Sequence, residues 1–278
     1  MAYDDYKLIR IARDGRIVTA TVDNPPINIV TMDLFAELAR LAIEMEADRE
    51  ALVFVLKSAD PDFFLAHFDV GAILAFPVDE PAARDAGPNA WHEMCQRFAD
   101  MDKVTIAQIE GRVGGGGAEI SMNFDMRFGV IGKTVINQME VPLGILPGGT
   151  GTQMLPRLVG RARALEIILA GTDMDAATAE RWGWLNRALP ADAIGPFVAA
   201  LAQRIASFPA DAVRLAKRSV DNAAGPLGDG LAEEGYLFQT LIRTPDARAA
   251  MAQFLEIGGQ TRAGELRVAE LSARLGKG

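Results

Sequence analysis

The feature that most constrains the fold is an alternation of short β-forming runs with helical stretches. "ALVFVLKS" (51–58) is a nearly continuous apolar run, which is typical of a strand covered on both faces. "VTIAQIEG" (104–111) and "MRFGVIG" (126–132) have the same character. Helices are predicted from Met32 to about Ala47, with Thr31 as N-cap, and over residues 89–100. This alternation predicts an α/β core.

The pattern changes towards the C-terminal end. From about Asp175 it is mostly helical, interrupted by "WGWLNRALP" (182–190), which predicts one strand and a turn. We therefore divide the chain into an α/β core of residues 1–200 and a helical module of residues 201–278, which we expect to take part in oligomerisation. Val268, Leu271 and Leu275 form an apolar stripe that packs either within the chain or on another subunit.

Composition excludes several functional classes. A hydrophobic fraction of 50% in 278 residues predicts a folded protein. A net charge of -9 without a Lys/Arg cluster makes nucleic acid an unfavourable partner. The acidic start and the lack of a run of roughly 20 apolar residues predict a cytoplasmic protein with no membrane partner. Cys95 alone allows no internal disulfide, and two histidines make a metal site unlikely, so we expect none.

Four consecutive glycines, Gly114–Gly117 in "RVGGGGAEISM", need an explanation. A dinucleotide fingerprint fails because its last glycine falls on Glu119, and a phosphate loop in "RFGVIGKT" fails because its first glycine falls on Arg127. A third interpretation is that glycines let backbone N–H groups at a helix start approach a reacting carbonyl, beside the carboxylate of Glu119. A purely structural turn remains the alternative.

Three segments, in this order and spacing, carry a family resemblance. "FFLAHFDV", "GGGGAEI" and "MEVPLGILPGGTGTQMLPRLVG", flanked by "NPPIN" and "AERWGWLNRALP", resemble the enoyl-CoA hydratase/isomerase (crotonase) superfamily over roughly residues 8–255. The resemblance implies an α/β fold that is a crotonase-like spiral of ββα units with a C-terminal helical module. It also implies a homotrimer or a dimer of trimers.

The same resemblance implies a reaction and its residues. The family's two catalytic glutamates match Glu119 and Glu140, and its oxyanion-hole amides map onto Ala66 and Gly116. The implied activity is a lyase that adds water across the double bond of a 2-enoyl-CoA thioester, or removes it. Glu119 would chiefly bind and deprotonate water, and Glu140 would chiefly donate a proton. Coenzyme A enters as part of the acyl-CoA substrate, so no cofactor is expected.

The implied substrate-binding residues include departures from the family pattern. They are Ala66, His67, Phe68, Asp69, Val70, Gly115, Gly116, Met139 and Gly148. His67 and Phe68 stand where the family commonly has Gly-Ala. The alternative to ligand binding is a structural or solvated position for His67 and ordinary core packing for Phe68. Isomerisation of a double bond or hydrolysis of a CoA thioester would use the same fold. A CoA-binding or scaffold protein without turnover is the remaining alternative.

Overall fold

The computed structural model describes residues 3–77, 88–224, 235–238, 240–241, 244–258, 260 and 274–275. The chain divides into two compact units, one of Met1–Met101 with Thr105–Ala199 and one of Asp102–Val104 with Ala200–Gly278. The described part of the second unit is mainly helical. Of the predicted apolar stripe, Val268 and Leu271 lie outside the described residues, and Leu275 is half-buried in a turn.

Within the part of the chain that the structure describes, ten strands form two sheets. They are β1 (Ile9–Asp14), β2 (Ile17–Val22), β3 (Val53–Ser58), β4 (Phe63–Leu65), β5 (Val104–Ile109), β6 (Arg112–Gly114), β7 (Met126–Val130), β8 (Val135–Asn137), β9 (Met174–Asp175) and β10 (Arg187–Leu189). The larger sheet has the order β1-β2-β3-β5-β7-β10, and the smaller has the order β4-β6-β8-β9. The β1–β2 and β8–β9 pairs are antiparallel, whereas β2–β3, β5–β7, β7–β10, β4–β6 and β6–β8 are parallel.

Helices connect the strands and continue beyond them. They are α1 (Met32–Ala47), α2 (Val70–Leu74), α3 (Ala90–Asp100), α4 (Gly115–Met122), α5 (Gly151–Val159), α6 (Arg161–Ala170), α7 (Ala176–Trp182), α8 (Ile194–Ala206), α9 (Ala210–Asp221) and α10 (Pro245–Glu256). A 3-10 turn covers Val141–Leu143. Within the described residues, no helix is both long enough and apolar enough to span a bilayer.

The core of the first unit follows from the apolar runs of the sequence. Residues 53–56 of β3 are fully buried, as expected for a strand covered on both faces. Phe54 stacks on Phe98 of α3, with ring centroids 5.8 Å apart, and Phe124 contacts both rings. Helix α1 buries the face that carries Leu34, Leu38, Leu41, Ala42 and Met45. These contacts join the larger sheet to α1 and α3.

The longer elements agree with the sequence predictions. The four strands of the smaller sheet are not among the predicted strands. Helix α1 has the predicted bounds, and the hydroxyl oxygen of Thr31 accepts a hydrogen bond from the N–H of Leu34 at 3.2 Å. Strands β3, β5, β7 and β10 lie within the predicted segments. Strands β4, β6, β8 and β9 have only two or three residues each, which is too short for a two-residue period to be recognised.

A buried asparagine connects the turn before α1 to β4. Asn28 is 1% exposed and has a φ of 51°, which is in the left-handed region. Its amide nitrogen donates to the hydroxyl oxygen of Ser58 at 2.7 Å and to the carbonyl oxygens of Phe63 and Phe64 at 3.3 and 3.2 Å. Its side-chain oxygen accepts the N–H of Asn24 at 2.7 Å. Asn28 therefore connects the 24–28 turn to β4.

We predict that Asn28→Ala destabilises the protein by about 2–4 kcal/mol, because it leaves buried polar groups unpaired and forces a residue with a Cβ into the left-handed region. Asn28→Gly also removes the side-chain bonds but tolerates the backbone conformation, so we expect it to be about 1 kcal/mol less destabilising than alanine. Urea unfolding of the two variants measures both contributions. Variants within about 0.5 kcal/mol of the parent would contradict this role of Asn28.

Candidate active site

The first unit contains a cavity of about 470 Å³ with a mainly apolar wall. Two carboxylates, Glu119 and Glu140, reach this wall, and both are more than nine-tenths buried. The wall also includes Met32, Phe35, His67, Phe68, Val70, Ile73, Phe76, Trp91, Gly116, Met139, Leu143, Ile145, Leu146, Gly148 and Gly149. Its size is within the range of roughly 300–1,000 Å³ that is usual for ligand pockets.

Glu119 lies in the second turn of α4 and is held by backbone N–H groups. Its Oε1 accepts hydrogen bonds from the N–H groups of Gly149 and Gly151, both at 2.8 Å. Burial raises the pKa of Glu119 above its ordinary value, whereas these two hydrogen bonds and the nearby charge of His92 oppose the rise. Because both N–H groups favour the charged form, Glu119 is equipped to be the carboxylate of the pair.

Glu140 directly precedes the 3-10 turn and has a different environment. Among the described residues its Oε2 atom has no hydrogen-bond partner, although it is buried. Burial, with a smaller contribution from the negative charge of Glu119, raises the pKa of Glu140 to about 7, although a hydrogen bond from its own backbone opposes the rise. A carboxyl group with such a pKa can carry a proton near neutral pH and can also release it.

The glycine run allows Glu140 to approach the start of α4. Gly115 has a φ of 44°, and a Cβ atom at this position would lie 2.9 Å from Oε1 of Glu140 and 3.2 Å from Cβ of His67. Any larger residue would be strained in its backbone and would press on the glutamate. Gly115 itself does not line the cavity. The glycine thus brings the backbone at the helix start close to a carboxyl group.

Helix α3 supports the turn that holds Glu119, a contact that the local sequence pattern does not predict. Nε1 of Trp91 donates to the carbonyl oxygen of Gly149 at 3.0 Å. Nε2 of His92 lies 2.8 Å from the carbonyl oxygen of Gly148. Trp91 is 58 residues away from Gly149 in the chain, so no local motif reveals the pairing. The two side chains fix the turn whose N–H groups bind Glu119.

The structure brings most of the predicted site residues together in the cavity wall. These are Glu119, Glu140, Gly116, His67, Phe68, Val70, Met139 and Gly148. Asp69 does not line the cavity; its side chain caps α2 by accepting the N–H of Gly71 at 2.8 Å. Nδ1 of His67 lies 2.8 Å from the carbonyl oxygen of Phe68, which gives this histidine a structural contact in the loop.

Ala66 is placed differently from our expectation. Its N–H donates to the carbonyl oxygen of Asn28 at 3.3 Å, and the residue is not part of the cavity wall. The structure therefore does not bring the Ala66 amide together with that of Gly116.

The amide of Phe68 is the alternative that the structure offers. Val30 pairs with this segment by donating to the carbonyl oxygen of His67 at 2.8 Å and accepting from the N–H of Asp69 at 3.1 Å. The N–H of Phe68 consequently points away from Val30, and it has no acceptor among the described residues. A Cβ on Gly116 would lie 3.1 Å from Cβ of Phe68, so the two residues are neighbours.

Together these features define a class of protein. A mixed α/β chain with two buried carboxyl groups, and with free amides at the start of a helix beside them, is built for proton transfer next to a carbonyl. In the described residues no group of three or more His, Cys, Asp or Glu side chains could hold a metal ion. The chain belongs to the enoyl-CoA hydratase/isomerase family, whose model matches residues 12–261.

Individual relatives agree with this assignment. A protein of Mycobacterium bovis named "Probable enoyl-CoA hydratase" is 32% identical over 253 residues, covering 90% of this chain and 96% of its own length. A short-chain-enoyl-CoA hydratase of Clostridium acetobutylicum is 29% identical over 88% of this chain and 94% of its own. The crystal structure of an enoyl-CoA hydratase from Geobacillus kaustophilus superposes with a TM-score of 0.82 at 27% identity, covering 92% of this chain and 98% of that one. The predicted crotonase fold is confirmed.

The raised pKa of Glu140 predicts how stability depends on pH. An ordinary glutamate has a pKa near 4.5 and the folded state has a value of about 7, so the folded state binds the proton more tightly. The stability that this proton contributes is fully present below pH 4.5 and is lost as pH rises to about 7. Gln does not titrate. We therefore expect Glu140→Gln to become more stable relative to the parent by about 3 kcal/mol as pH rises through this interval, with little further gain at higher pH.

Urea unfolding of both proteins at several pH values from 5.5 to 9 measures this difference. Glu93→Gln, the same substitution at the exposed first turn of α3, serves as a matched control. A difference between parent and Glu140→Gln that does not vary with pH would mean that the carboxyl group has an ordinary pKa.

Proposed function

We propose that the protein is a lyase that adds water to the double bond of a 2-enoyl-CoA thioester, or catalyses the reverse dehydration. The observation that carries this proposal is the pair of buried glutamates in one cavity with different environments. Burial raises the pKa of both groups, but two N–H groups stabilise the charged form of Glu119, whereas Oε2 of Glu140 has no hydrogen-bond partner among the described residues. One group is thus suited to accept a proton while the other donates one.

The amides of Gly116 and Phe68 would form the oxyanion hole. Gly116 is at the N-terminal end of α4, where N–H groups lack partners within the helix, and Gly114 provides no side-chain cap. The N–H of Phe68 faces away from Val30 in the neighbouring loop. The thioester carbonyl oxygen would accept a hydrogen bond from each N–H group. These two bonds would stabilise the negative charge that develops on the oxygen as the enolate forms.

In the proposed reaction, the carboxylate of Glu119 accepts a proton from water as the water oxygen bonds to C3. The electrons of the double bond move towards the thioester oxygen, and the protonated Glu140 delivers a proton to C2. Water is added across the double bond, while Glu119 is left protonated and Glu140 ionised. Return of the proton from Glu119 to Glu140, directly or through solvent, restores the starting state.

Isomerisation of a double bond is the second candidate, since the family includes isomerases and one glutamate would suffice for it. Both carboxyl groups lie in one cavity, which favours hydration. Isomerisation needs one group that moves a proton, whereas hydration needs one group to accept a proton from water and another to donate a proton to C2. Incubation of crotonyl-CoA in ¹⁸O-labelled water distinguishes the two reactions. Hydration incorporates the label into product, and isomerisation does not.

We predict that Glu119→Gln and Glu140→Gln each lower kcat by roughly 100-fold or more while changing affinity for a CoA thioester much less. The double variant should lose less than the product of the single effects, because both groups act on one reaction. Steady-state kinetics with crotonyl-CoA measures all three variants. Parent activity that persists in both single variants would refute the mechanism.

We also propose that the protein assembles as a homotrimer or a dimer of trimers in the cytoplasm. The resemblance to the family and the helical composition of the second unit support the assembly. A buried free thiol at Cys95 is compatible with a reducing compartment.

We predict from this proposal that light scattering at micromolar concentration gives a mass of three or six chains of 29.8 kDa. A monomer under these conditions would contradict the assembly.

A further inference from the structure

One side of the cavity is made of aromatic rings that the proposed proton transfers do not use. Phe35 stacks on Trp91 with ring centroids 5.5 Å apart and an angle of 22°. Phe68 meets Trp91 edge to face at 5.3 Å and 90°, and Phe76 contacts Phe68 at 6.2 Å. We call these four side chains the aromatic wall. Each of them lines the cavity.

Hydrogen bonds of Trp91 and of the backbone beside Phe68 hold the aromatic wall in place. Nε1 of Trp91 donates a hydrogen bond to the carbonyl oxygen of Gly149. The six-membered ring of the indole lies close to Gly116, since a Cβ atom on Gly116 would be 3.1 Å from it. The backbone on either side of Phe68 is bonded to Val30. These two rings therefore keep a fixed angle to each other, and a ligand meets a preformed surface.

The position of Trp91 indicates which part of the substrate meets the wall. A Cβ on Gly149 would lie 2.3 Å from Nε1 of Trp91 and 2.5 Å from Oε2 of Glu119, so the indole is adjacent to this carboxylate. In the proposed function Glu119 activates the water that attacks C3. The substituent on C3 is therefore the part of the acyl group that lies beside Trp91.

We propose that the substrate is an arylacryloyl-CoA thioester, in which C3 carries a planar aromatic ring that packs in the corner between Trp91 and Phe68. This inference rests on the proposed function and names its substrate class. A ring in this corner can stack on one aromatic side chain and meet the edge of the other, which are the two arrangements that aromatic pairs prefer. An alkyl chain would gain only the burial of its surface.

The rest of the cavity fits such a group. Around the wall are aliphatic side chains, among them Ile73, Met139, Leu143 and Ile145. Among the described lining residues the carboxylates are those of the two catalytic candidates, so a neutral ring meets no further charge.

Unreactive ligands separate recognition of the ring from its effect on reactivity. Saturated thioesters cannot be hydrated, so calorimetry gives their equilibrium affinity for the full-length protein. We compare 3-phenylpropanoyl-CoA with 3-cyclohexylpropanoyl-CoA, which has a similar size but no π system, and with octanoyl-CoA and butanoyl-CoA. We expect the phenyl compound to bind about 3–10-fold more tightly than the cyclohexyl compound and more than tenfold more tightly than butanoyl-CoA.

Variants assign the preference to the wall. Trp91→Leu should reduce the phenyl-to-cyclohexyl preference to about one, whereas Trp182→Leu should retain it. Trp182 is a matched control because it is also half-buried against the hydrophobic core but does not line the cavity. Phe76 is 49% exposed, so Phe76→Leu provides a second wall variant in case Trp91→Leu fails to fold; it should weaken the preference about twofold.

The outcomes distinguish this inference from the proposed function. Equal affinity for the phenyl and cyclohexyl compounds, or tighter binding of octanoyl-CoA, would overturn the aromatic assignment in favour of an alkyl group. If crotonyl-CoA is hydrated in that case, the proposed function stands without it. If no thioester binds and neither crotonyl-CoA nor cinnamoyl-CoA is hydrated, both proposals are wrong.

Discussion

The site depends on the interaction between Glu119 and two backbone N–H groups of the Gly149–Gly151 turn. A buried carboxylate is unfavourable without partners, and these two hydrogen bonds are what allow Glu119 to be charged inside an apolar cavity. Its charge in turn helps to raise the pKa of Glu140. The conformation of this turn therefore opposes the rise that burial causes in the pKa of Glu119, and through the charge of Glu119 it contributes to the raised pKa of Glu140.

That turn is itself maintained by contacts from distant parts of the chain. Trp91 and His92 bind its carbonyl groups from α3. Thr150 takes a φ of 107°, which is unusual for a residue with a Cβ, and its hydroxyl oxygen accepts a hydrogen bond from Asn123 of the α4 C-cap at 2.8 Å. The strained conformation persists because contacts on both sides determine it. Helices α3 and α4 thus cooperate in presenting one pair of N–H groups.

The sequence predicts the long elements of this fold well and the short ones poorly. Helix α1 has sixteen residues, a clear apolar face and a capping threonine, so several independent sequence signals predict it. The smaller sheet is built from strands of two or three residues, whose pairing depends on tertiary contacts rather than on local preference. The glutamates were found from the motifs around them. The amide of Ala66, which we assigned to the oxyanion hole, is bonded to Asn28 in the structure, because amide direction depends on backbone geometry that residue identities do not record. Trp91 was missed because its partner is distant in the chain.

The indole of Trp91 takes part in both the support of Glu119 and the lining of the cavity. Its N–H bonds the Gly149 carbonyl, within the turn that holds the candidate base, while its ring forms part of the surface that a substrate meets. A change at this position would therefore alter ligand selection and proton transfer together. Phe76 and Ile73 line the cavity with apolar side chains that form no hydrogen bond to that turn, so they do not have this double constraint. Divergence towards new substrates is therefore easier along that side of the cavity, and evolutionary change should accumulate there first.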